Sequence, residues 1–203
     1  NQKFYTEKYG VTHPTKPGLK IPEMFEAAID KKLKGLWIIG EDIVQTDPNS
    51  AHVVEAMNSL ELLVVQAIFM SETAKLATVV LPGTTFLEKD GTFTNTERRI
   101  QRVNRAVPPL PGTKPDGVIV TDMMQKLGFD QPTYDADQML KEIADVVPFF
   151  RGVTRERLGK LGLQWPVQED GTDTQILHTE SFKLGKGRLK NFDWKESNEI
   201  ETN

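Results

Sequence analysis

Two uninterrupted apolar runs dominate the hydrophobic pattern of the first half of the chain. The run LWII occupies residues 36–39 and ends at a glycine and two acids, and the run LLVV opens the segment 62–69. Strands of a parallel sheet are covered on both faces, so they read as continuous apolar runs rather than alternating ones. A third run, TVVL at 78–81, stops at a Pro-Gly pair. The pattern therefore predicts three buried parallel strands.

Apolar residues at helical spacing lie between these runs. Phe25, Ile29 and Leu33 recur at four-residue steps. This stripe predicts a helix over residues 22–34, and a second stripe predicts a helix that ends near Ser59. Strands that alternate with helices form parallel sheets with right-handed crossovers. We therefore predict an α/β fold: a doubly wound, Rossmann-like, mostly parallel sheet with helices on both faces.

Changes in composition predict where the domain begins and ends. Residues 1–21 contain prolines and glycines at short intervals, which predict an irregular arm. Residues 22–162 would form the α/β domain, with the core of the sheet at 36–81. Residues 163–203 carry turn signals without a clear period, and they predict a loop or hairpin extension.

Helical signals return after a proline-rich connector at residues 107–115, whose prolines require an extended backbone. Asp116 is a candidate cap for a helix that runs to Leu127. Either Thr133 or Asp135 is a candidate cap for the next helix.

Composition and charge narrow the classes of partner. A formal net charge of -4 and a pI near 5.5 provide no general field that attracts nucleic acid. The sequence has no apolar run of membrane-spanning length and no secretory signal, so we expect no membrane insertion and a cytoplasmic location. The sequence contains no cysteine, which excludes disulfides, thiolate-held iron-sulfur clusters and a cysteine nucleophile within it. Its three histidines lack metal-ligand spacing.

Polar residues follow the first predicted strand, at Gly40, Glu41, Asp42 and Thr46. Ligands of open α/β sheets gather outside the carboxyl ends of the strands. A glycine lets the backbone approach a ligand, carboxylates accept from ribose hydroxyls or base N–H groups, and threonine donates to phosphate. Neither the dinucleotide fingerprint nor the P-loop sequence is present. The alternative is that both acids are simply solvated loop residues.

Gln66 interrupts the second apolar run near its carboxyl end, where a buried amide needs a partner. We predict that Gln66 and Phe69 line the same rim as Asp42. The alternative is one satisfied buried amide and one core aromatic residue.

Charged residues cluster after the third strand. Glu88 and Asp90, near Arg98 and Arg99, resemble a paired-acid site for acid-base chemistry. The favoured interpretation is a turn flanked by solvated charges. The arginines are alternatively anchors for carboxylate or phosphate, which their planar fork suits.

Four motifs together resemble the molybdopterin oxidoreductases, with the greatest likeness to the alpha (catalytic) subunit of formate dehydrogenases. In chain order they are LWIIGEDIVQTDPN at 36–49, LLVVQAIF at 62–69, TAKLATVVLP at 73–82 and EKDGTFTNTERRIQ at 88–101. The likeness continues through Lys-Pro-Asp at 114–116, Trp-Pro at 165–166 and Gly-Thr at 171–172, so it covers almost the whole chain. The sequence departs from the common pattern at Ile43, Ala67 and Gly83.

The resemblance implies one α/β domain of a much larger subunit, binding one half of a bis(molybdopterin guanine dinucleotide) cofactor that carries molybdenum or tungsten. It implies that nine positions contact this cofactor: Gly40, Glu41, Asp42, Thr46, Gln66, Ile68, Phe69, Thr73 and Asp116. Within this interpretation, either Asp42 or Asp116 is the acceptor for the guanine N–H groups.

Several family features have no counterpart in the sequence: the iron-sulfur cysteines, the molybdenum ligand and the C-terminal cofactor domain. The resemblance therefore implies an internal piece of a formate dehydrogenase, inactive and without bound cofactor by itself. The longer subunit would hold the iron-sulfur cluster and oxidise formate to carbon dioxide. The expected partners are the other domains of that subunit and electron-transfer subunits. The alternatives are a related subunit, such as the large iron-sulfur subunit of respiratory NADH dehydrogenase, and a non-catalytic α/β interaction module.

Overall fold

The structure is a computed structural model that describes residues 2–182 and 184–194. Within these residues the helices are α1 (Gln2–Tyr9), α2 (Ile21–Ile29), α3 (Ile43–Thr46), α4 (Ser50–Asn58), α5 (Glu72–Lys75), α6 (Asp116–Lys126), α7 (Ala136–Val146) and α8 (Arg155–Leu158). The strands are β1 (Gly35–Ile39), β2 (Leu62–Ala67), β3 (Val79–Pro82), β4 (Gly91–Thr94), β5 (Arg99–Val103) and β6 (Leu163–Gln164). Short 3-10 turns occupy Phe86–Glu88 and Pro148–Phe150.

The three predicted strands form a parallel sheet in the order β1-β2-β3. Ile38 of β1 pairs with Val65 of β2, and Val65 pairs in turn with Val80 of β3. The predicted α/β class with a parallel sheet is therefore confirmed. This prediction rested on the continuous apolar runs. The strand β2, which contains one of these runs, lies between the other two strands.

One face of this sheet holds the larger core. Ile38, Leu63 and Val65 are buried there against buried residues of α2 and α4, namely Phe25, Ala28, Val53, Ala56 and Met57. On the other face, α6 and the end of β3 line a cavity of about 250 Å³. Ile39, Leu62 and Val79 remain 42–50% exposed on that face. Helices of the described chain thus cover one face more completely than the other.

The N-terminal segment differs from the irregular arm predicted for residues 1–21, because Gln2–Tyr9 forms α1. The breakers Gly10, Pro14, Pro17 and Gly18 all follow this helix, so they end it without preventing it. None of the residues of α1 is buried. The helix α1 therefore has no buried apolar stripe from which it could have been predicted.

The chain divides into two compact units, and this differs from the predicted domain boundary at residue 162. Unit 1 comprises Asn1–Thr92 and Arg102–Met139, and unit 2 comprises Phe93–Gln101 and Leu140–Asn203. Unit 2 has its own buried cluster: Ile100, Leu140, Val153, Leu158 and Val167. Its strand β6 pairs antiparallel with β5.

Residues just after 162 are consequently part of the unit 2 core and not of an extension. The physical reason is the pairing of β6 with a strand about sixty residues earlier, which no local period reveals. The predicted extension at 163–203 also includes residue 183 and residues 195–203, which lie outside the described residues.

Glu88 fastens the proline-rich connector to the end of the 3-10 turn. One carboxylate oxygen accepts from the backbone N–H and the hydroxyl of Thr85, at 2.8 and 2.9 Å, and the other accepts from Leu110 N–H at 2.9 Å. These hydrogen bonds hold the pKa of Glu88 below its ordinary value, and the bond from the Thr85 N–H has the largest effect. Asp90 accepts separately from the Arg105 N–H. Glu88 and Asp90 thus serve the backbone, in agreement with the favoured turn interpretation.

We expect Glu88→Gln to lower the melting temperature at neutral pH, because its amide NH2 would face backbone donors. A carboxyl whose folded pKa is lowered stabilises the fold above its unfolded pKa, and this contribution disappears as the pH falls through the folded pKa. The difference from wild type should therefore shrink as the pH falls below the ordinary value of 4.5. Thermal melts between neutral and acid pH measure it. Glu55→Gln, on an exposed helical surface, is the control; an equal effect there would contradict the prediction.

Candidate functional site

The carboxyl edge of the parallel sheet brings together residues that are distant in sequence. Gly40 has a left-handed backbone, with φ of 67°, and its N–H donates to the Gln66 carbonyl at 2.8 Å. Beyond β3, Gly83 and Lys114 form an isolated parallel bridge, and Lys114 N–H donates to the Pro82 carbonyl. The connector therefore runs alongside the end of β3. This path carries Asp116 to the edge beside Gln66.

The Asp116 carboxylate is the centre of this edge. Gln66 Nε2 donates to its Oδ1 at 2.8 Å, and Lys89 Nζ donates to its Oδ2 at 2.5 Å. Asp116 is the first residue of α6, one position after the N-cap Pro115. The predicted cap is therefore wrong, because Pro115 holds the N-cap position and the Asp116 carboxylate accepts from Gln66 and Lys89.

Two opposing effects set the pKa of Asp116. Partial burial raises the pKa, but the hydrogen bonds from Lys89 and Gln66 and the charge of Lys89 lower it, so the net pKa lies below its ordinary value. The side chain is 42% exposed. The edge thus presents an ionised carboxylate that a ligand can reach.

Gln66 is fully buried and only half satisfied. Its Nε2 bonds Asp116, but its Oε1 has no hydrogen-bond partner among the residues that the structure describes. The buried hydroxyl of Thr84 likewise has none within the described ranges. An unsatisfied buried polar group costs about 1–3 kcal/mol. This end of the sheet therefore has acceptor capacity that its own side chains leave unused.

Asp42 joins the loop after β1 to the start of α5. Its Oδ1 accepts from the Thr73 hydroxyl at 2.6 Å and from the Thr73 N–H at 3.0 Å, and the Val44 N–H donates to the same hydroxyl. The Thr73 hydroxyl is the main reason that the pKa of Asp42 is lowered. Thr73 is fully buried, so both residues hold the loop in place.

The remaining predicted contact residues lie on the surface of this edge. Thr46 donates to Glu41 at 2.6 Å, and both residues are exposed. Ile68 and Phe69 follow β2, and Phe69 is 75% exposed rather than a core aromatic residue. A Cβ at Gly83 would lie 3.4 Å from Asp116 Oδ1 and 3.7 Å from Ile68 Cγ2. Ile68 and Asp116 therefore flank the same glycine.

Two neighbours of Asp116 were not among the predicted site residues. Lys89 was hidden within a charged run, where spacing alone does not show which acid a lysine meets. The Tyr134 ring packs on Gly117, where an added Cβ would lie 2.1 Å from a ring carbon. Burial, followed by the charges of Asp116 and Asp135, raises the pKa of Tyr134. The glycine at position 117 is the sequence feature that could have indicated this close approach.

The arginines after β4 are occupied within unit 2. The Arg98 guanidinium donates to the carbonyls of Trp165, Thr174 and Gln175 and lies 5.7 Å from the Trp165 ring centroid. Arg99 forms an ion pair with Glu97 at 3.6 Å. Arg98 therefore organises backbone in unit 2, and its donors are not directed at a ligand.

In the part of the chain that the structure describes, no cluster of three histidine, aspartate or glutamate side chains could hold a metal ion. No helix within 2–182 and 184–194 is both long and apolar enough to cross a membrane.

Comparisons with known proteins point to one family. Residues 6–126 match the family model described as molybdopterin oxidoreductase. A formate dehydrogenase subunit alpha of Methanocaldococcus jannaschii is 42% identical over 193 residues, which cover 94% of this chain and 28% of that protein. A Bacillus subtilis protein named "Probable oxidoreductase YjgC" is 42% identical over 199 residues, covering 97% of this chain and 20% of its own length.

A solved structure shares the fold. The acetylene hydratase of Pelobacter acetylenicus superposes with a TM-score of 0.55 at 20% identity, over 66% of this chain and 19% of that one. At this identity the likeness shows the fold alone. The chain spans between a fifth and somewhat over a quarter of the length of the two relatives above.

Proposed function

The chain belongs to the molybdopterin oxidoreductase family, and from this premise we propose that it forms one wall of the site for a molybdopterin guanine dinucleotide. The enzyme that contains it would be a formate dehydrogenase. The names of similar proteins support this substrate, since a relative that matches 94% of the chain is a formate dehydrogenase subunit alpha. Formate oxidation releases carbon dioxide, one proton and two electrons.

The observation that carries the proposal is the half-satisfied pair at the carboxyl edge. Among the described residues no donor reaches the buried Gln66 Oε1, which adjoins the ionised, partly exposed carboxylate of Asp116. The edge of guanine offers an N–H and an NH2, which are the donors that a carboxylate accepts. The described residues therefore fit the nucleotide end of this cofactor. Asp116, and not Asp42, is the proposed guanine acceptor, because Asp42 is engaged with Thr73.

The other edge residues would contribute in different ways. Glu41 and Thr46 are exposed polar residues: the Glu41 carboxylate suits ribose hydroxyls, and the Thr46 hydroxyl suits phosphate. Ile68 and Phe69 supply an apolar surface. Asp42 and Thr73 would act indirectly by fixing the loop. The cofactor, when bound, supplies the two-electron chemistry at its metal, and this chain binds and orients it.

The proposal includes partners beyond the chain. Because the chain spans 28% of the Methanocaldococcus relative, other domains of a longer subunit would supply the rest of the cofactor site and an iron-sulfur cluster. Electron-transfer subunits would accept the electrons. We expect this chain alone to be inactive in formate oxidation, with or without molybdenum or tungsten, and to lie in the cytoplasm within its enzyme.

Titration with guanosine 5′-monophosphate tests the role of Asp116. We expect Asp116→Asn to bind about 10- to 100-fold more weakly than wild type, because it loses a charge-assisted hydrogen bond worth about 1.5–3 kcal/mol. Calorimetry or NMR titration of the 203-residue chain measures this difference. In the full-length enzyme the same change should lower the guanine nucleotide released on acid treatment.

Asp122→Asn is the matched control for this experiment. Asp122 lies on the same helix and accepts from Lys114 at 2.6 Å, but it lies outside the edge cluster. It should leave binding of the nucleotide unchanged. A full-length Asp116→Asn enzyme that releases as much guanine nucleotide as the wild-type enzyme, or an Asp116→Asn chain that binds guanosine monophosphate as tightly as the wild-type chain, would refute the proposed function.

A further inference from the structure

We infer that Lys89 is a specificity-determining residue of this nucleobase site, donating to the O6 atom of guanine while Asp116 accepts from the guanine N–H groups. The inference rests on the proposed function and adds a residue that the motif comparison did not assign. It follows from the hydrogen-bonding capacity that Lys89 and Asp116 leave unused.

Lys89 and Asp116 both have hydrogen-bonding capacity to spare. An ammonium group has three donors, and within the described residues Lys89 donates one hydrogen bond, to Asp116 Oδ2. A carboxylate has about four acceptor sites, and Gln66 and Lys89 occupy one on each oxygen of Asp116. The side chains of Lys89 and Asp116 are 23% and 42% exposed. The pair thus presents one donor followed by two acceptors.

Each base presents its own order of donors and acceptors to such a pair. The pairing edge of guanine carries an acceptor, O6, followed by two donors at N1 and N2. It is complementary to the donor-acceptor-acceptor order of the Lys89–Asp116 pair. Cytosine presents a donor followed by two acceptors, the same order as the protein pair, so it cannot satisfy all three positions. Adenine offers one donor and one acceptor on this edge. Guanine is therefore the base that uses the complete pair.

The backbone holds Lys89 in place. Lys89 directly follows the 3-10 turn Phe86–Glu88, and Glu88 is bound by Thr85 and by the Leu110 N–H. Leu110 belongs to the connector that leads to Asp116. One anchored carboxylate therefore fixes the chain on both sides of the lysine–aspartate pair.

An ordinary ion pair is the simplest alternative role for Lys89. Exposed pairs contribute little to stability. Such a pair would influence the orientation of Asp116 but would make no contact with O6. If Lys89 donates to O6, its replacement affects recognition of O6 alone. If Lys89 only orients Asp116, its replacement also affects recognition of the guanine N–H groups, and base analogues distinguish the two roles.

The test uses three nucleotides with the 203-residue chain: guanosine, 6-thioguanosine and inosine 5′-monophosphate. The thio analogue changes O6 alone to a weaker acceptor, and inosine lacks only the N2 amino group. We expect wild type to bind guanosine monophosphate several-fold more tightly than either analogue. In Lys89→Met the preference over the thio analogue should disappear, while the preference over inosine monophosphate should persist through Asp116.

Lys34→Met is the control, because it breaks the Lys34–Glu61 ion pair at the amino end of the sheet, just before β1 and β2 begin. It should keep both preferences, and thermal melts should show that both variants are folded. An unchanged preference over the thio analogue in Lys89→Met would overturn the inference about Lys89 and leave the proposed function standing. Loss of both preferences would mean that Lys89 only positions Asp116, which also overturns it. Equal release of guanine nucleotide from wild-type and Asp116→Asn full-length enzymes would instead refute the proposed function.

Discussion

Replacing Gly152 with alanine is expected to destabilise unit 2 by about 3 kcal/mol, at the upper end of the cost of overpacking. A Cβ at this position would lie 1.6 Å from the Gln168 carbonyl oxygen and 2.7 Å from its carbon. Both obstacles are backbone atoms, so no side-chain rotation can relieve the overlap. The Gly152 N–H also donates to the Val167 carbonyl, so a displaced backbone loses this bond as well.

The measurement is thermal unfolding combined with hydrogen exchange resolved by peptide. A loss of about 3 kcal/mol in a unit of this size lowers its melting temperature by roughly 12 °C or more. Exchange should accelerate around Val153 and Leu158, and unit 1 strands such as β2 provide the internal reference. Gly187→Ala is the control, since no atom of the described residues lies within 4 Å of its Cβ position. Equal melting of the two variants would refute this close packing.

The parallel sheet could be predicted because its signal is local and strong. The predicted strand at 36–39 is observed as Gly35–Ile39, and the third one, predicted at 78–81, is Val79–Pro82. The helix predicted at 22–34 ends earlier, at Ile29, because Lys31 adopts a left-handed φ of 60°. The spacing of apolar residues does not reveal that Lys31 adopts a left-handed backbone.

The division into two units could not be predicted, since it depends on contacts between distant segments. Gly152 meets Gln168 through backbone atoms, and Ile100 packs with Leu158 across more than fifty residues. Hydrophobic periodicity reports which face of an element is buried, but not which other element buries it.

The candidate site was predictable to the extent that strand ends determine it. The rule that ligands gather at the carboxyl edge of a parallel sheet placed Gln66 at the rim beside Asp42, whereas the family resemblance supplied Asp116. The structure joins Gln66 to Asp116 by a hydrogen bond of 2.8 Å. The rule could not show that Lys89 meets the same carboxylate, or that Thr73 is fully buried. Those facts depend on side-chain directions after the connector has folded back.

Thr73→Val is expected to destabilise unit 1 by about 2–3 kcal/mol, although valine has nearly the same shape as threonine. The hydroxyl of Thr73 donates to the Asp42 carboxylate at 2.6 Å and accepts from the Val44 N–H at 3.1 Å. A hydrogen bond to a charged group is worth about 1.5–3 kcal/mol, and the Val44 N–H would also lose its acceptor. Because Asp42 is partly exposed, water recovers some of this loss.

The pH dependence separates this bond from a simple packing effect. The Thr73 hydroxyl lowers the pKa of Asp42, so its contribution is fully present above the ordinary value of 3.8 and disappears as the pH falls through the lower folded pKa. Urea titrations should therefore show the gap between wild type and Thr73→Val narrowing below pH 3.8. Thr73→Ser keeps the hydroxyl and should lose only about 1 kcal/mol for the buried methyl group. A gap that is independent of pH, or equal losses in the two variants, would show that Thr73 acts through packing alone. In that case Asp42 would be free to accept from a ligand.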